Sequence, residues 1–203
     1  MNERWVPLEL EDCDPDPFVQ FRRWFDEAVD EMAEREAITL ITSTPDGRPS
    51  ARMVLLRHVS DRSLGWYTNY ASRKGHELGA NPHAALLWYC EPLGRQVRVE
   101  GTVARMSAER SDEYFAARPR GHQLGAHASA QSQPIADRRA LERRVVEMEE
   151  KFAGREVPRP VNWGGYELNP TVFEFWQHRY DRLHDRIVYT SDVDGWRRQR
   201  HSP

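Results

Sequence analysis

The chain is poor in cysteine, has no long apolar run and lacks an excess of either charge. Cys13 and Cys90 are its two cysteines, with no Cys-x-x-Cys and no Cys/His ligand spacing. A disulfide scaffold and a thiolate metal site are thereby excluded, and two reduced thiols in a cytoplasmic protein are expected. The eight histidines are scattered as well, His122 and His127 lying five apart, so no bound metal is expected. The longest apolar stretch, residues 84–90, falls far short of the roughly 20 residues that span a bilayer. The N-terminus has no basic start followed by an apolar segment, which argues against a signal peptide. With 29 Lys+Arg against 32 Asp+Glu and a net charge of -3, the chain is not a dedicated nucleic-acid binder. Glycine-rich dinucleotide and Walker loops, a Gly-x-Ser-x-Gly elbow and a His-Glu-x-x-His pair are all missing.

What is present suffices for one packed domain: 203 residues, 10% of them aromatic, including seven tryptophans. Residues 1–16 are acidic and irregular and read as a mobile arm, leaving 17–203 as the domain. A helix is expected from Pro17, capped by Asp16, because Phe18, Phe21, Phe25, Val29 and Met32 recur at helix spacing. The period then changes to two. Strands are expected at 37–44, 51–59 and 64–68, the first two joined by the turn Pro45-Asp46-Gly47-Arg48-Pro49. A short helix at 73–80 capped by Ser72 precedes strands at 84–90 and 96–106. Helices follow at 108–117 and 137–152, with a short helical stretch between them after Pro119-Arg120-Gly121. Three final strands are expected at 166–168, 172–177 and 183–189, with a short one at 196–200. This is a mainly β, α+β chain: an antiparallel barrel carrying peripheral helices.

Four clusters carry chemistry. In Ser72-Arg73-Lys74, two cations in a first helical turn oppose the helix dipole, a conflict that a bound phosphate would remove. Two solvated surface cations explain the same residues. In Arg182-Leu183-His184-Asp185-Arg186, a strand would put Arg182, His184 and Arg186 on one face, suited to an anion and to proton transfer, or simply to water. Tyr114 and Arg118, four apart, offer a phenol and a guanidinium to one phosphate, or stack on each other. Gln131-Ser132-Gln133-Pro134 is a polar turn that helix capping would largely explain. Basic, phosphate-competent clusters without a nucleophile or paired acids fit a phosphorylated organic cofactor.

Taken in order, these clusters resemble the pyridoxamine (pyridoxine) 5′-phosphate oxidase family. The likeness rests on Arg52-Met53-Val54-Leu55-Leu56-Arg57, Tyr67-Thr68, Ser72-Arg73-Lys74, Arg95-Gln96-Val97, Tyr114-Phe115 with Arg118-Pro119-Arg120, and Gln131-Ser132. It continues through Trp163-Gly164-Gly165, Glu174-Phe175-Trp176-Gln177, Arg182-Leu183-His184-Asp185-Arg186 and the terminal Arg200 and Pro203. The resemblance implies a homodimeric, FMN-binding split barrel with the flavin at the subunit interface. It implies FMN contacts from Arg52, Met53, Val54, Leu55, Leu56, Arg57, Tyr67, Thr68, Arg73 and Lys74. Gln96, Gln131, Ser132, Trp176 and Arg186 would complete the cofactor site, some of them from the second subunit. Arg57, Tyr114, Arg118 and His122 would hold a phosphorylated substrate, with Arg182 and His184 as the catalytic pair facing it. The implied reaction oxidises pyridoxamine or pyridoxine 5′-phosphate to pyridoxal 5′-phosphate while dioxygen becomes hydrogen peroxide. Phenazine-pathway oxidases and non-catalytic flavin- or haem-binding split barrels are the alternatives. The chain departs from the family pattern in four places: Arg57 stands for lysine, His122 for serine and Gln177-His178-Arg179-Tyr180-Asp181 for a glycine-containing loop, and the N-terminal arm lacks the recognisable arginine and tyrosine that cover substrate in some members.

Overall fold

The computed structural model describes residues 5–203. Helix α1 (Pro17–Glu27) starts where Pro17 supplies a preset φ and the Asp16 carboxylate accepts from the Phe18 N–H at 2.8 Å. It ends sooner than the spacing predicted, before Val29 and Met32. The sheet is built from β1 (Ala37–Ser43), β2 (Pro49–Leu55), β3 (His58–Val59), β4 (Leu64–Asn69), β5 (His83–Cys90), β6 (Arg95–Arg105), β7 (Trp163–Gln177), β8 (Asp185–Asp192) and β9 (Gly195–Arg200). Helices α2 (Arg73–Ala80), α3 (Ala108–Ala116), α4 (Arg120–Ala128) and α5 (Arg138–Lys151) sit outside it. All pairings are antiparallel, in the order β2-β1-β5-β6-β7-β4-β3, with β8 on β7 and β9 on β8.

The expected strand at 51–59 is two strands, and the break between them matters. The Leu56 N–H donates to Glu36 O on the β1 side, and the next N–H, that of Arg57, donates to Gly65 O beside β4. One continuous stretch of chain thus changes partner and brings the two ends of the sheet path together, as a split barrel requires. Inside lie Trp24, Trp66, Trp88, Phe21, Phe173, Phe175 and Tyr189, all fully buried. Helix α1 plugs this core edge-on, Phe18 against Phe173 at 5.1 Å and Trp24 against Phe175 at 5.3 Å. A smaller cluster of Phe115, Leu124, Phe152, Val157 and Trp163 lies under α3–α5.

Two further expectations change. The strands at 166–168 and 172–177 are one strand, β7, which runs through Pro170; a register shift between Glu100 and Gly101 on β6 absorbs the proline. The stretch 183–189 does not start as a strand: Tyr180–Arg182 form a 3-10 turn with Asp181 and Arg182 at φ 56° and 61°, and β8 begins at Asp185. Of the segment read as a mobile arm, residues 1–4 lie outside the described residues and 5–16 pack on β8 and β9. Leu8 and Cys13 are buried. Arg200 donates to Leu8 O at 2.7 Å, Arg198 to Cys13 O at 2.6 Å, and the Tyr189 hydroxyl to Asp14 O at 2.7 Å. Among the described residues no helix is long and apolar enough to cross a membrane.

Candidate active site

A cleft of about 860 Å³ opens between β2, the start of α2, the end of α3 and the loop after α4. Its floor is cationic. Ser72 caps α2, accepting from the Gly75 N–H at 3.4 Å, and the first helical residues after it are Arg73 and Lys74. Glycine is required at Gly75, since a Cβ there would meet Tyr70 O at 2.0 Å. The helix start is therefore pressed onto the end of β4. Lys74 is 7% exposed and donates to Thr68 Oγ1 at 3.0 Å, Gln131 Oε1 at 3.1 Å and Ser72 Oγ at 3.2 Å. All three acceptors are neutral. Burial, and then the nearby Arg52 guanidinium, push its pKa down to about 8.

Arg52 reaches in from β2, with Nη1 on Leu40 O at 3.2 Å and Nη2 on Glu77 Oε2 at 3.3 Å. Burial lowers its pKa, partly offset by Glu77. The Glu77 carboxylate is itself buried, yet hydrogen bonds from Ser50 and Thr42 and the ion pair with Arg73 outweigh burial and hold it down at about 2.

The wall of the cleft is aromatic. Tyr67 stacks on Tyr114 at 3.8 Å and on Trp163 at 5.5 Å, nearly parallel to both. The Arg118 guanidinium lies 4.7 Å over the Trp163 ring. Its Nη1 is buried and has no hydrogen-bond partner among the described residues, and burial lowers its pKa. Arg118 lies beyond the end of α3, so it reaches the cleft from the turn rather than from the helix face that holds Tyr114.

Most of the residues picked from sequence meet here: Arg52, Met53, Val54, Leu55, Arg57, Tyr67, Thr68, Arg73, Lys74, Tyr114, Arg118, His122, Gln131 and Ser132 all line the cleft. Gln131 does so through its side chain, so capping does not explain it; α5 is capped by Asp137 instead. Leu56, expected at the cofactor with its neighbours, does not line the cleft: it is 3% exposed and its side chain packs in the core, because the partner change at 56–57 points it inward. Arg120 belongs to the scaffold, donating to Phe152 O at 2.6 Å and Arg155 O at 3.0 Å.

Gln96, Trp176, Arg182, His184 and Arg186 do not line this cleft. They form a second group on the same chain. Gln96 faces Trp176 across β6–β7, and Trp176 faces Arg186 across β7–β8. The expected single-face row of Arg182, His184 and Arg186 is absent, because the turn at 180–182 precedes β8. Arg186 is clasped by Glu174 through Nε at 3.2 Å and Nη2 at 2.8 Å. His184 stacks tilted on Trp176 at 4.5 Å. Its Nδ1 accepts from the Arg179 N–H at 3.1 Å, so the neutral ring carries its hydrogen on Nε2. Burial, His178 and Arg182 lower its pKa.

Sequence reasoning did not pick out Glu77, Ser50 or Thr42. The i,i+4 spacing of Arg73 and Glu77 was a legible signal for the first; the other two meet it only through the sheet.

The sequence profile described as pyridoxamine 5′-phosphate oxidase matches residues 25–152. A second, described as the pyridoxine 5′-phosphate oxidase C-terminal dimerisation region, matches 163–203. The chain belongs to the pyridoxamine 5′-phosphate oxidase family. Membership makes it a flavoprotein oxidoreductase by kind. It is 56% identical over 197 residues to the pyridoxine/pyridoxamine 5′-phosphate oxidase of Rubrobacter xylanophilus, covering 97% of this chain and 91% of that protein. It is 52% identical to the enzyme of the same name from Paraburkholderia phymatum, covering 97% and 93%. Among solved structures, PhzG from Burkholderia lata in complex with tetrahydrophenazine-1-carboxylic acid superposes with a TM-score of 0.91 at 31% identity, over 99% of this chain and all of that one. A pyridoxamine 5′-phosphate oxidase-related, FMN-binding protein from Nostoc punctiforme shares the fold, with a TM-score of 0.70 at 18% identity over 90% of this chain and 97% of that one.

Proposed function

We propose that the chain binds FMN in this cleft and oxidises pyridoxamine or pyridoxine 5′-phosphate to pyridoxal 5′-phosphate. The observation that carries the reading is Lys74: a buried ammonium near the Arg52 guanidinium, with only neutral oxygens as partners among the described residues. A buried cation without a counter-charge is costly unless an anion joins it, and a phosphate monoester at the start of α2 supplies one. FMN, when bound, supplies the two-electron acceptor that side chains of these types lack, and dioxygen carries the electrons on to hydrogen peroxide. With the amine as substrate, water is consumed and ammonia released, so the atoms balance.

The remaining roles belong to side chains. Arg73, Lys74 and Arg52 bind the cofactor phosphate, with Thr68 and Gln131 orienting the Lys74 ammonium. Arg118 binds the substrate phosphate, since its buried Nη1 lacks a partner, with the Trp163 and Phe115 rings holding its guanidinium and Tyr114 lining the same cleft. His122 and Arg57 rim the same space. His184 holds its proton at Nε2 and donates a hydrogen bond to the substrate, and Arg182 complements the substrate's charge.

The second group reaches the first across a homodimer. In support, the profile that matches 163–203 is described as a dimerisation region and contains Trp176, Arg182, His184 and Arg186. Exposed apolar side chains accompany both groups, Met53 at 60% and Leu55 at 41% in the lining of the cleft and Tyr89 at 50% opposite Gln96; exposed apolar surface of this kind marks an interface.

The likeness to PhzG favours a second reading, an oxidase of an unphosphorylated tricyclic acid; the Arg118 guanidinium suits a carboxylate as well as a phosphate, so the substrate assay, not this side chain, separates the two. Peroxide release decides between them. Pyridoxamine 5′-phosphate is expected to be turned over far faster than pyridoxamine, and Arg118→Ala is expected to raise KM for the phosphorylated substrate by about 10- to 100-fold, the worth of one charge-assisted contact. Equal rates with and without the phosphate would refute the assignment.

A further inference from the structure

Under the cationic floor of the cleft sits a carboxylate that the proposed chemistry does not use. Glu77, on α2, is 5% exposed and does not line the cleft. It accepts from Ser50 Oγ at 2.6 Å, from Arg73 Nε at 2.8 Å, from Arg52 Nη2 at 3.3 Å and from Thr42 Oγ1. The donors come from β1, β2 and α2, and the last two carry the phosphate-binding cations. Thr42 and Ser50 face each other in the β1–β2 ladder, and Arg52 Nη1 also donates to Thr42 Oγ1. A single buried anion therefore ties both arginine heads to one point.

We infer that Glu77 is a positioning residue: it presets Arg52 and Arg73 for the cofactor phosphate and trims the charge of the site to match it. This rests on the cofactor reading above. Three cations less one carboxylate leave two positive charges, against about 1.5 to 2 negative charges on a phosphate monoester at neutral pH. Without the carboxylate the arginines repel one another, and each must be ordered when the phosphate arrives. Glutamine in its place keeps one acceptor but turns an N–H₂ group toward donors on Arg73 or Arg52, so one guanidinium is released.

The test titrates the cofactor-free full chain with FMN and with riboflavin, which lacks the phosphate, following flavin fluorescence. In Glu77→Gln the dissociation constant for FMN is expected to rise about tenfold while that for riboflavin stays unchanged, and Glu77→Asp is expected to recover part of the loss. Thr42→Val removes one donor to Glu77 and the hydroxyl that accepts from Arg52 Nη1, both from a position outside the cleft, and keeps every charge; a several-fold loss of FMN affinity alone is expected. It decides the matter should Glu77→Gln not fold. Unchanged or tighter FMN binding in these variants overturns the inference, as does an equal loss for both flavins, which would mark a merely structural role. A wild-type chain that takes up neither flavin overturns the cofactor reading, and this inference with it.

Discussion

Lys74 couples the affinity of the cleft to pH. Its pKa of about 8 means that the free ammonium deprotonates as pH rises through that value, whereas a bound phosphate dianion favours the charged form. Above about 8, binding must take up a proton, and FMN affinity is expected to fall by up to about tenfold per pH unit. Riboflavin affinity should stay level, so the ratio of the two dissociation constants, measured by fluorescence titration between pH 6.5 and 9.5, is the readout; a ratio that does not change with pH refutes the assignment. The stability of the empty protein runs the other way. Between about 8 and the usual 10.5 of an unfolded lysine the unfolded chain binds more protons, so this residue's contribution to stability rises with pH across that window. At this scale the cations were legible in sequence, because Arg73 and Lys74 contradict the helix dipole. Of Glu77 only the i,i+4 pairing with Arg73 was legible; its burial and its link to Arg52 were not, since they depend on Ser50 and Thr42, 27 and 35 residues away.

Among the elements, α2 is where local sequence and tertiary contact agree most closely. Its bounds followed from the Ser72 cap and the Asn81-Pro82 stop, but its seat against β4 is set by Gly75, and no propensity reveals that. Gly75→Ala drives a methyl group into the Tyr70 carbonyl, 2.0 Å away, and backbone on both sides leaves no easy relief. A loss of about 2 kcal/mol is expected, which lowers Tm by about 4–8 °C in a chain of this size, together with weaker FMN binding as Arg73 and Lys74 move. Gly79→Ala on the same helix is the control: nothing lies within 4 Å of its Cβ, so it should melt at or slightly above the parent temperature, as alanine is the better helix former. Equal melting of the two variants would contradict the packing argument. The stretch Arg182–Arg186 shows the converse. Read as a strand it would put Arg182, His184 and Arg186 on one face, yet two left-handed residues at 181 and 182 bend the chain into a turn, and periodicity carries no signal for that.

For the molecule as a whole, the barrel class was legible from strand periodicity and turn chemistry, because those signals are local. The closure at Leu56 and Arg57 was not, nor was the docking of residues 5–16 on β8 and β9, since both depend on contacts between distant segments. The division of the site into two groups on one chain leads to a test that needs no new structure. One parent carries Lys74→Ala with Arg118→Ala and lacks a working cleft; the other carries Arg182→Ala with His184→Ala and lacks the facing group. If each cleft is completed by the partner subunit, a heterodimer of the two parents has one site with all four changes and one with none. Random reassortment makes about half of the dimers heterodimers, so mixing unfolded chains and refolding them together is expected to restore about a quarter of wild-type peroxide production from two nearly inactive parents. Were all the groups of a site drawn from one chain, every site in the mixture would carry one damaged set or the other, and activity would stay at the level of the parents. Size-exclusion chromatography of the same mixture separates that outcome from a failure to reassociate, because inactive dimers and inactive monomers elute apart.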